Sequence, residues 1–168
     1  MVLVFALGCS HAPQTSLQTV SHVDLSRYMG KWYEIARLPN RFQKGCLRST
    51  AEYALKDGVV SVINRCDLED GSMKEAVGIA QVVDAQTNAK LKVSFLPDWL
   101  RWTGFGWGNY WIIDLDDNYE YVVVSEPEQK YLWILSRSQT IKPQKYDEIL
   151  ANIKAQGFDI SALIIDKR

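Results

Sequence analysis

The chain has 168 residues, 47% of them apolar and 11% aromatic, which suffices for one domain with a buried core and excludes intrinsic disorder. A formal net charge of -1 offers no field that would attract nucleic acid. No apolar run approaches the roughly 20 residues that a membrane-spanning helix needs.

The chain starts with an apolar octet, MVLVFALG, followed by Cys9 and the polar run SHAPQTS. The octet is short for a signal-peptide core and no Lys or Arg precedes it, which suggests a truncated or misassigned initiator methionine. Small Gly8 before Cys9 nevertheless resembles the lipobox of a bacterial lipoprotein signal, in which the cysteine is acylated. Residues 1–8 are read as a residual signal, Cys9 as a lipidation site, 9–23 as a polar tether and 24–168 as the folded domain. An ordinary N-terminus with a stray cysteine is the alternative.

Short apolar segments bounded by turn residues then recur at roughly ten-residue spacing, the pattern of a β-sandwich or barrel. The expected strands are 31–37, 47–55, 59–66, 74–83, 90–96, 109–115, 119–125 and 131–137. Lys56-Asp57-Gly58 and Asp116-Asp117-Asn118 are among the turns between them. Eight antiparallel strands in up-and-down order can close on themselves, which removes exposed edges and leaves an interior for one small ligand. Near the end, Pro143 suits a first helical turn, Tyr146, Ile149, Leu150 and Ile153 recur at helical spacing, and Gly157 sits where a C-cap belongs. The expected fold is thus all-β, an eight-stranded barrel with one C-terminal α-helix packed outside by its apolar stripe. A short strand over 162–166 follows.

If Cys9 is acylated, Cys46 and Cys66 remain, an even pair that suggests a disulfide in an exported chain. About the turn at Lys56–Gly58 they fall within one or two residues of direct opposition, a difference that a bulge can absorb. Two separate buried thiols are the other possibility.

Three motifs carry a resemblance. Gly30-Lys31-Trp32-Tyr33-Glu34 resembles the Gly-x-Trp-Tyr motif that starts the lipocalin barrel. Asp114-Leu115-Asp116-Asp117-Asn118-Tyr119 is similar to that family's Thr-Asp-Tyr turn, with Asn118 in place of the middle Asp and no preceding Thr. Leu132-Trp133-Ile134-Leu135-Ser136-Arg137 is similar to the end of its last strand. The longer runs 30–42, 91–95 and 131–137 look like the bacterial outer-membrane lipocalins and their relative apolipoprotein D, and the likeness covers about residues 22–165. It implies barrel closure by Gly30, Trp32 and Arg137, with the arginine lying across the indole. It also implies carriage of a fatty acid or lysophospholipid for membrane maintenance, and an outer-membrane lipoprotein facing the periplasm of a Gram-negative bacterium.

Strand alternation marks out a lining. With Trp32 inward, Glu34 and Ala36 follow. With Arg137 inward, Leu135, Trp133 and Tyr131 follow. Leu91, Val93 and Phe95 form a third set, and Ala51, Tyr53 and Leu55 a fourth. Such a cavity is apolar and aromatic and suits an acyl chain. Glu34 is costly there unless paired. It reads either as an anchor for a head group or, preferably, as the partner of an interior Arg or Tyr. The run from Leu96 to Trp107 gathers Trp99, Leu100, Trp102, Phe105 and Trp107 between two strands, with Arg101 placed to meet a phosphate or carboxylate. Near the ligand entrance it could touch a membrane, cover the cavity or join two copies as a homodimer; a local packing cluster is the plainer use.

A carrier is favoured over an enzyme. Both histidines, His11 and His22, precede the barrel, so no triad or zinc site is expected inside it. No phosphate loop or dinucleotide fingerprint is present, so no cofactor is expected. A cysteine-dependent enzyme using Cys46, or a docking lipoprotein without cargo, stays open.

Overall fold

A computed structural model describes residues 17–167. Eight strands form the barrel: β1 (Gly30–Arg37), β2 (Cys46–Lys56), β3 (Val59–Leu68), β4 (Met73–Val82), β5 (Lys90–Ser94), β6 (Trp107–Leu115), β7 (Tyr121–Ser125) and β8 (Leu132–Ser136). Each pairs antiparallel with its neighbour in sequence, and β1 joins β8 on one edge and β2 on the other, which closes the sheet. A ninth strand, β9 (Ile164–Ile165), pairs with Ala36 and Arg37 of β1 where β2 has diverged. The helices are α1 (Leu25–Tyr28), α2 (Asp98–Arg101) and α3 (Pro143–Ala155).

Closure divides the apolar residues into two cores. Inside lie Trp32, Tyr53, Val62, Leu91, Ile112, Val122 and Leu135, with Val23 and Tyr28 sealing one end. Outside, Ile35, Ala36, Val123, Leu132 and Ile134 meet Ile149 and Ile153 of α3. Pro143 starts α3, and Gly157 follows it at φ 94°, a left-handed conformation that glycine adopts without steric cost.

The expected strands are present, and several ends differ for local reasons. β7 begins at Tyr121 instead of residue 119, because Tyr119 has φ 61° and belongs to the turn. The 162–166 strand shrinks to β9 after a single 3-10 turn at Ile160–Ala162. α1 was not anticipated; Asp24 caps it by accepting from the Ser26 and Arg27 amides. The polar tether expected over 9–23 is not free at its C-terminal end. Val23 is fully buried, and the Val20 and Val23 amides donate to the Ile112 and Thr87 carbonyls at 3.0 and 2.7 Å. Cys9, His11 and residues 1–8 lie outside the described residues; His22 is exposed.

The disulfide between Cys46 and Cys66 is formed, with Cα atoms 5.4 Å apart. Cys46 is registered with Leu68, and Cys66 with Ser49. The bridge is therefore diagonal. The register shift between Cys46 and Arg48 is the irregularity that brings the sulfurs together.

Candidate functional site

Up-and-down order puts alternate connections at opposite ends. Loops 38–45, 69–72, 95–106 and 126–131 surround one mouth of the barrel, while the other turns and α1 surround the base.

The base is sealed by stacked side chains. Arg137 lies 3.8 Å over the Trp32 ring and donates to the backbone carbonyls of Lys31, Arg27 and Tyr28 at 3.0, 2.7 and 3.2 Å. The Trp32 indole donates to Tyr28 O at 2.9 Å. Gly30 has φ 94°, and a Cβ there would sit 3.4 Å from the guanidinium. Glycine thus serves both the backbone turn and the room for Arg137.

Above this floor, Tyr28, Tyr53 and Tyr110 join their hydroxyls: Tyr28 to Tyr110 at 2.6 Å and Tyr53 to Tyr110 at 3.0 Å. Burial pushes all three phenols up, Tyr53 to about 12, so they stay neutral. The remaining cavity at this depth is about 20 Å³, bounded by Tyr53, Val62, Ala80, Leu91, Val93 and Tyr110 among others. That is space for little more than one water-sized group. The deep half thus has no room for an extended ligand beside these rings.

Towards the mouth the wall changes. Ala51, Ala76, Gly78 and Gly108 face inward by register on β2, β4 and β6. A Cβ on Gly108 would touch nothing closer than Val93 at 3.9 Å, whereas one on Gly78 would strike the Phe95 ring at 2.7 Å. Phe95 thus lies across Gly78 at the rim. On the far side Trp133 and Tyr131 stack at 5.9 Å, and Tyr131 meets Phe42 at 5.7 Å, making an aromatic row from wall to rim.

A buried charged cluster enters the calyx beside Trp133, and it is paired. Arg37 Nη1 donates to Glu34 at 2.6 Å and to Asp166 at 3.0 Å, and Nη2 donates to Cys46 O at 3.0 Å. Gln43 donates to the other Glu34 oxygen at 2.6 Å and to Ser49 at 3.0 Å, and accepts from the Trp133 indole at 2.7 Å. The Ser49 amide closes the network on Asp166 at 2.8 Å. Burial, reinforced by nearby Asp166, raises the Glu34 carboxyl to about 7, against the pull of Gln43 and Arg37. Two carboxyls around one guanidinium in a dry site make a proton on Glu34 favourable. The structure gives Glu34 the structural pairing preferred from sequence, with Arg37 as its partner.

Of the lining residues expected from sequence, Glu34, Ala51, Tyr53, Leu91, Val93, Trp133 and Leu135 face the interior, with Phe95 and Tyr131 at the rim and Leu55 beside the turn at the base. Ala36 does not. A bulge between Glu34 and Ala36 shifts the phase of β1, so Ala36 packs in the outer core beneath α3. The same bulge turns Arg37 inward, where strict alternation had placed it outside. Gln43 and Asp166 were also missed. They lie in a loop and in the C-terminal tail, where no periodicity exists to place a side chain.

A family model described as a lipocalin-like domain matches residues 23–168. The chain is 42% identical over 160 residues to the outer membrane lipoprotein Blc of Vibrio cholerae, covering 94% of this chain and 89% of that protein. The Blc lipoprotein of Escherichia coli K12 is 40% identical over 161 residues, covering 94% and 87%. Mouse apolipoprotein D is 30% identical over 167 residues, covering 95% and 82%. Among solved structures, insecticyanin from the tobacco hornworm Manduca sexta superposes with a TM-score of 0.71 at 22% identity, covering 90% of this chain and 84% of that one. With the Trp32–Arg137 closure and a closed eight-stranded barrel already in place, these matches identify the chain as a member of the lipocalin family.

Proposed function

We propose that the chain is a lipid carrier, not an enzyme, which holds one acyl chain of a fatty acid or lysophospholipid in the mouth half of its barrel. The observation that carries this reading is the composition of that half. The wall residues Ala51, Ala76, Gly78, Gly108, Phe95, Tyr131 and Trp133 are small or aromatic, and the buried Glu34–Arg37–Asp166 cluster is internally paired, so an acyl chain lying along them meets no unpaired charge. The Cys46–Cys66 bridge occupies the thiol on which a cysteine-dependent reaction at Cys46 would rest. The relatives named outer membrane lipoproteins support placing the carrier at an outer membrane, facing the periplasm, with Cys9 as the acylated residue.

The test is to delipidate the protein and titrate it with palmitate and, separately, with lysophosphatidylethanolamine, following tryptophan emission. Trp133, on the wall, is one of the six tryptophans whose emission reports the titration. A saturable change with either ligand is expected. A flat response with both would remove the carrier function.

A further inference from the structure

We infer that the barrel mouth carries a docking lobe for a phospholipid bilayer, which turns the opening towards the membrane. Among the described residues the exposed Phe and Trp side chains are Phe42, Phe95, Trp99, Trp102 and Phe105, and all five lie at the mouth. The base, ringed by its own turns, has none. Such one-sided exposure is unexpected for a surface that meets only water.

The lobe is a built structure. One turn of helix, α2, is fastened by Arg101 Nε donating to Leu96 O at 2.6 Å and by the Trp107 indole donating to Arg101 O at 3.3 Å. The Leu96 side chain fills the space beside Gly106, where a Cβ would overlap it at 2.2 Å. Trp99, Trp102 and Phe105 therefore project from a folded support, 70%, 82% and 80% exposed.

Charge identifies the occupant. An open groove of about 560 Å³ runs between the lobe and the outer face of β4 and β5, and Lys92, Arg101, Trp102 and Trp107 line it. Its acid, Asp98, is paired with Arg101, which leaves Lys92 as the uncompensated charge. Across the mouth, Arg41 and Lys44 flank Phe42, and all three are exposed. Indoles and phenyl rings beside lysine and arginine suit the boundary between acyl chains and phosphates, where rings bury their bodies and cations meet head groups. An apolar protein surface would leave these cations unmatched.

The experiment uses the full chain carrying Cys9→Ser, so that no acyl group contributes, and vesicles of phosphatidylethanolamine with one-quarter phosphatidylglycerol. Co-sedimentation and quenching by brominated lipid report partition. Adding Trp99→Ser, Trp102→Ser and Phe105→Ser should weaken partition about tenfold, while Leu55→Ser with Val83→Ser at the base should leave it unchanged. Near-ultraviolet circular dichroism checks that each variant is folded, and single substitutions replace the triple variant if it is not. Equal partition of lobe variant and parent would overturn the inference, as would an equal loss from the base variant. A dimer that becomes a monomer in sedimentation velocity, with vesicle partition intact, would make the lobe a self-association surface instead. Partition is measured on delipidated protein, so it stands or falls separately from cargo binding.

Discussion

Glu34 and Arg37 show how much a single buried charge depends on its neighbours. Native Glu34 holds its proton to about 7, whereas an unfolded glutamate loses it near its ordinary value, about 4.3. The native state therefore binds more protons between those values, and its stability falls as pH rises through that window. Thermal denaturation from pH 4.5 to 8 should show this decline, and Glu34→Gln should flatten it. Arg37→Ala should be the severer change, because it leaves two buried carboxyls facing each other; the expected loss is about 3–5 kcal/mol by urea unfolding. At the base, Arg137→Ala removes the contact over Trp32 and three charge-assisted hydrogen bonds, for about 2–3 kcal/mol. Arg137→Lys should recover less than half of that, since an ammonium cannot fork to separate carbonyls while lying flat on an indole.

At the scale of elements, the β2–β3 hairpin and the bulged β1 define the mouth together. The bridge ties residues 20 apart in sequence, and Cys46 O accepts from Arg37, so the disulfide borders the buried network. Reduction should cost about 3 kcal/mol, read as a lower urea midpoint with reductant than without. The bulge between Glu34 and Ala36 gives β1 two roles. Its first half presents Trp32 and Glu34 to the interior, and its second presents Ala36 to α3 and Arg37 to the network. The extra residue re-aims the strand where the barrel changes from closed base to open mouth.

Across the whole molecule, the deep half is filled by linked tyrosines, while Ala51, Ala76, Gly78 and Gly108 face inward in the mouth half, so on the proposed carrier function the acyl chain lies against this upper wall. Gly108→Leu fills that space from a position where a side chain meets no close contact. It should weaken fatty-acid binding about tenfold in the tryptophan titration, with the melting temperature little changed. The strand count, the outer helix and the Trp32–Arg137 closure were legible in the sequence, because period-two alternation, turn residues, an amphipathic helix with Pro and Gly at its ends, and family motifs are local signals. Most of the lining could be read in the same way, since β2, β5 and β8 keep their phase over the predicted residues. What tertiary structure alone decided lies where phase is lost or never existed. The bulge that exchanged Ala36 for Arg37 follows from pairing with β8, and the seats of Gln43 and Asp166 follow from a loop and a tail that fold onto a buried charge. Alternation is set by one strand's backbone, whereas a bulge or a paired charge is set by the free energy of contacts between segments distant in the chain.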